Sequence, residues 1–142
     1  MSQNSIAKRR GPIVWVADLA AVNTTTSYPS GSSAGVAIPA GVPPSGERVH
    51  VMLSYSAASG TLSTDCHLYG YDPTLGLWPF LGSMNAGASI VADTRWQSAT
   101  SAVLVSEWFD VGHGQYSRFA TRVIAPQGTT PSCSTWIGFE AP

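Results

Sequence analysis

Three histidines, eight carboxylates and two cysteines are the side chains of this 142-residue sequence with the widest chemical reach. His50 and His67 fall on two extended segments that could be neighbours, and a facing pair of imidazoles is how many metal sites begin. No Asp or Glu stands at the short spacing such a site would use, so structural histidines are the expectation, with His113 in a glycine-bearing loop. Glu107 and Asp110 flank Trp108 and Phe109 and are the best local candidate for a carboxylate pair of the glycosidase kind. Ordinary exposed acids at a strand end explain them more simply. Serines are abundant, but no Gly-x-Ser-x-Gly elbow singles one out as a nucleophile. Cys66 and Cys133 match no zinc or redox spacing, and two reduced, buried cysteines are expected over a disulfide or a metal site. No acid, base, nucleophile or ligand set has chemical spacing, so the expectation is a protein that is not an enzyme and uses no cofactor or metal.

The aromatic residues offer more. Trp15, Trp78, Trp96, Trp108 and Trp136 could build a sugar-stacking platform or anchor an interface. Each falls in a predicted strand, so most are expected in the core. Trp96 and Trp108 are the candidates for partner contact, together with Arg95, whose planar guanidinium suits a subunit boundary.

These side chains must be positioned by strands. Residues 47–55 alternate most clearly, with Val49, Val51, Leu53 and Tyr55 on one face and His50, Met52 and Ser54 on the other. Residues 13–17 form a β-branched and aromatic run, 34–38 a short strand, and 64–71 a strand with Cys66 and Leu68 opposed to His67, Tyr69 and Tyr71. The Asp72-Pro73-Thr74-Leu75-Gly76 turn leads into 77–83, whose Pro79 places it at an edge or bulge. A break is expected at 84–88, then a hairpin of 89–96 and 102–109. The last strands are 117–125, with Phe119, Thr121 and Val123 against Arg118, Arg122 and Ile124, and 134–139. Loops at 23–33, 39–46, 56–63, 110–115 and 126–131 are rich in Gly, Pro, Ser or Thr. Eight or nine short strands without a convincing helix predict a single all-β domain over residues 13–142, an antiparallel β-sandwich with a jelly roll as the natural eight-strand solution.

Composition bounds the partners. Charged residues are 11% of the chain, against about 25% in ordinary soluble proteins. One lysine, Lys8, accompanies six arginines, and the net charge is -1. So little charge offers weak protection against self-association, which points either to a surface covered by neighbouring subunits or to a hydroxyl-rich extracellular domain. The balance argues against nucleic acid as main partner. Lys8-Arg9-Arg10 before an apolar run imitates a signal peptide poorly, because Gly11-Pro12 opens the run and Asp18 interrupts it. No segment approaches the length of a membrane-spanning helix, so no membrane role is expected and the cytosol is the expected compartment of synthesis. Residues 1–12 are read as a polar arm whose Lys8, Arg9 and Arg10 could dock on an acidic neighbour.

The arm, the Ser/Thr/Ala/Gly-rich body with its single lysine, and the eight-strand pattern together resemble small virion proteins of tailed bacteriophages, particularly capsid decoration or cement proteins. The resemblance implies a jelly roll or related β fold, usually trimeric, bound to the major capsid protein lattice of a virion assembled in the host cytoplasm. It implies stabilisation of the head without catalysis. That group has no motif from which a functional residue could be carried over. The competing expectation is a carbohydrate-binding or receptor-binding sandwich, for example a tail or fibre component, built on Trp96 and Trp108.

Overall fold

The computed structural model describes residues 12–42, 48–57, 63–86, 102–112 and 114–140. Eight strands run in chain order: β1 (Ile13–Ala17), β2 (Val36–Ala37), β3 (Arg48–Ser56), β4 (Thr64–Tyr71), β5 (Phe80–Ala86), β6 (Ala102–Asp110), β7 (Arg118–Ile124) and β8 (Ser132–Glu140). They form two four-stranded antiparallel sheets, ordered β1-β8-β3-β6 and β2-β7-β4-β5. The all-β sandwich expected from the sequence is the fold. No helix of the described residues is long and apolar enough to cross a membrane.

Alternation decides which side chains meet between the sheets. Val49, Val51, Leu53 and Tyr55 of β3 are all buried, as their spacing requires, beside Cys133, Ile137 and Phe139 of β8. Cys66 and Leu68 of β4, Met84 of β5 and Phe119 and Val123 of β7 close on them from the second sheet. Phe119 and Phe139 meet with ring centroids 5.9 Å apart. Each fully buried aliphatic side chain here is worth about 1.5–3 kcal/mol of burial.

Two expectations for this region need correction. Met84 lies within β5 and packs in the core, so the break foreseen at 84–88 does not fall at 84–86, and 87–88 lie outside the described residues; Met84 and Asn85 continue the alternation that the adjacent small residues hide. The strand foreseen from residue 77 begins instead at Phe80, because Leu77 closes the turn against Asp72 and Pro79 has no N–H for a ladder. In that turn the Asp72 carboxylate accepts from Thr74 N at 2.9 Å, and Gly76 takes a positive φ. β5 is an edge strand, with a register irregularity between Leu68 and Tyr69 of its partner, as Pro79 suggested. The strand foreseen at 89–96 lies outside the described residues, as does the arm except for Pro12.

Between β1 and β2 the chain runs along the open side of the sandwich. β2 covers only Phe119 and Arg118 of β7. The rest of that edge is met by Thr26, whose N–H donates to Val123 O at 3.0 Å and whose hydroxyl accepts from Val123 N at 3.0 Å. Asp18 completes the cover by accepting from Thr121 N at 2.7 Å. An otherwise exposed strand edge is thereby paired without a long strand.

Candidate functional site

The outer face of the sheet β1-β8-β3-β6 gathers the side chains most able to bind. On β8 the residues in the outward phase are Trp136, Gly138, which is covered, and Glu140; on β3 they are Arg48, His50 and Met52. Register then assembles a row across all four strands: Trp15 lies opposite Gly138, Gly138 opposite His50, and His50 opposite Trp108. A second row, Ala17, Trp136, Met52 and Ser106, lies beside it. With strands about 4.8 Å apart and rows about 6.7 Å apart, the two rows form a platform about 15 Å wide.

Its chemistry is aromatic with a polar seam. Trp15 lies over Gly138, where an added Cβ would stand 2.8 Å from its ring, and meets the edge of His50 at 6.2 Å. His50 Nε2 and Glu140 Oε2 are 2.8 Å apart, and both side chains are mostly shielded. Arg48 places its guanidinium 4.2 Å from the centre of the Trp108 ring. Trp108 itself is 48% exposed.

Of the residues expected to contact partners, Trp108 is thus on an open face. Lys8, Arg9, Arg10, Arg95 and Trp96 lie outside the described residues. The expectation that most tryptophans are core is overturned: Trp15, Trp78, Trp108 and Trp136 are none of them buried. The strands of Trp15, Trp108 and Trp136 put Val, Ile, Phe, Thr or Cys on the inner face, and the alternation leaves tryptophan on the outer one. Trp78, beyond the end of β4, packs on Tyr71 at 5.2 Å and donates Nε1 to Gly31 O at 2.9 Å.

The two imidazoles thought to be possible neighbours belong to different sheets, His50 to the first and His67 to the second. Glu107 and Asp110 take opposite phases of β6, opposite Val51 and Arg48 respectively, so their three-residue spacing divides them between two faces. Among the described residues no three His, Cys, Asp or Glu side chains cluster closely enough to hold a metal ion. Cys66 and Cys133 are free and buried, and burial pushes their thiols up to about 12 and about 11. Glu140 is the partner that sequence reasoning missed, since it stands ninety residues from His50 and only strand order joins them.

At one end of the sandwich a small apolar cleft is lined by Ile38, Val42, Val111, Tyr116 and Phe139, with Arg48 and Glu140 at its rim, and has room for about one water. No protein-family model, curated protein or solved structure matches the chain.

Proposed function

We propose that the protein is a non-enzymatic structural component of a phage particle, a decoration or cement protein that binds the major capsid protein lattice through the outer face of β1-β8-β3-β6. The observation that carries this reading is the Trp15–His50–Trp108 row with Trp136 and Met52 beside it. A solvated sheet face is ordinarily polar, whereas tryptophan, methionine and arginine are what interfaces concentrate. Strand pairing supports the reading at the level of fold. β1 pairs β8, β2 pairs β7, β3 pairs β6 and β4 pairs β5, a nested order that fits a jelly roll, an architecture recurrent in viral capsid proteins. That support is analogy of architecture and weighs less than the face itself.

Size makes the reading more specific. A platform about 15 Å across offers a few hundred Å², well short of the ~800 Å² per partner of a stable interface. One copy would hold weakly by this face alone, so a symmetric oligomer, with a trimer favoured, would bind by presenting several faces at once. The arm, with Lys8, Arg9 and Arg10, would add contacts to acidic groups on the shell.

Sedimentation of the purified chain and its rebinding to particles lacking it test the proposal. The expected result is an oligomer that rebinds, with affinity falling roughly tenfold or more for Trp108→Ser and falling also on deletion of residues 1–12. A monodisperse monomer without affinity for any particle would overturn it.

A further inference from the structure

The opposite side of the molecule, the outer face of β2-β7-β4-β5, has a different character. Tyr69 of β4 is only 6% exposed, while Tyr28 from the β1–β2 loop and Phe80 of β5 stand beside it at 66% and 55% exposure. Tyr28 meets Tyr69 edge-on at 6.1 Å, and Phe80 meets it at 5.8 Å. His67 adds a third wall, 5.0 Å from Phe80, and is held by Nδ1 to the Tyr69 hydroxyl at 3.3 Å. Two exposed rings therefore pack over a buried tyrosine.

Arg122 lies opposite His67 in the β4–β7 register. Its guanidinium sits 3.9 Å from the centre of the Tyr28 ring, and Nε donates to Thr26 O at 2.9 Å. Those two contacts fix the group, yet neither Nη has a hydrogen-bond partner and no carboxylate lies within ion-pair distance among the described residues. Arg118, on the same face, is committed differently: Nε and an Nη donate to the carbonyls of Ala34, Ser33 and Gly35. A half-buried cation that is positioned but has no counter-ion is arranged for an anion from outside.

We propose that this aromatic face binds a carboxylate-bearing saccharide, its carboxylate taken by the Nη groups of Arg122 and its ring packed against Phe80 and Tyr28. The row Arg122, His67 and Ser83 crosses three strands, about 10 Å, which matches one or two hexose rings and is too small for a protein interface. A pyranose offers an apolar C–H face to the aromatic walls and hydroxyls to the His67 imidazole and to Ser83. Asp65, one row further along, accepts from Asn85 Nδ2. The site is on the sheet opposite the proposed assembly face, so both could be occupied together.

Titration with methyl β-glucuronide and methyl β-glucoside, followed by backbone amide shifts, tests the assignment. The two probes differ by the carboxylate alone. The expected result is binding of the glucuronide at millimolar concentration, weakened by salt, with shifts confined to β4, β5, β7 and residues 26–28, and little or no binding of the glucoside. Phe80→Ser, at an exposed position, should weaken glucuronide binding roughly fivefold or more while leaving the spectrum elsewhere and particle rebinding unchanged. Arg122→Gln should abolish the preference for the charged probe. Equal binding of both probes by the native chain, shifts on the other sheet, no shifts at all, or a Phe80→Ser variant that binds as the native chain does would each overturn the proposal, whatever the outcome of the particle experiment.

Discussion

Asp18 does at the edge of β7 what a neighbouring strand would otherwise do. Its carboxylate accepts from the Thr121 N–H and hydroxyl, the Thr121 hydroxyl contacts the Thr135 hydroxyl at 2.7 Å, and Thr135 accepts from Leu19 N at 3.0 Å. Both threonines are buried, so this run of hydrogen bonds joins the two sheets through paired polar groups. Burial raises the pKa of Asp18, the bonds from Thr121 opposing it in part. The sign follows from linkage. Below the unfolded pKa of about 3.9 the carboxyl is neutral in both states and its contribution to stability is full. That contribution is lost as pH rises through the higher folded value, where the buried group must ionise. Asp18→Asn, which keeps an acceptor, should therefore flatten the fall of stability as pH rises above about 4. Asp18→Ala leaves Thr121 N unpaired and should cost about 1–3 kcal/mol. Urea unfolding across that pH range checks both. Nothing local in the sequence signals this role. Asp18 could be seen only to interrupt an apolar run, since Thr121 is 103 residues away.

Strands were legible where alternation is strict. β1, β4 and the inner face of β3 fall where the pattern places them, and so do Phe119, Thr121 and Val123 on the inner face of β7. Legibility fails where small residues dilute the pattern, as around Met84, and where a face must be assigned between sheets. Tryptophan is apolar enough to suggest core, and only the phase of its neighbours on each strand sends it outward. The platform was therefore invisible as a whole, although Trp108 could be singled out, and Glu140 had no signal at all. Gly138 shows how tightly that platform is built. A Cβ there would stand 2.6 Å from Ile13 Cγ2 and 2.8 Å from the Trp15 ring, both side chains of β1. Gly138→Ala must displace Trp15 or move β1 away from β8. We expect a loss of about 1–3 kcal/mol in stability, with a shifted tryptophan emission maximum in the native state and weaker particle rebinding.

The nested strand pairing makes almost every ladder a long-range one, with β1 on β8 and β2 on β7 across most of the sequence. Such pairings require loop closure before any contact rewards it, so folding should be slow for a chain this size, on the order of milliseconds to seconds. Stopped-flow refolding followed by tryptophan emission measures this directly. Because Asp18, Thr121 and Thr135 tie the sheets together beside a shared apolar core, the two sheets should melt as one, and ellipticity and fluorescence should report a single coincident transition.

The pairing of Ile13 with Glu140 has a mechanical consequence. The chain enters β1 and leaves β8 at directly opposed positions, about 5 Å apart. A pull applied through the two flanking segments in opposite directions would act across the ladder and open its hydrogen bonds one after another, like a zip, so the molecule should yield at low force along that direction. A load spread over the tryptophan face would instead press the sheet onto the core and meet packed side chains everywhere. A protein held by its broad face would thus stay rigid under compression, while a pull through its ends would part Trp15 from Gly138 within the first few pairs and loosen the grip itself.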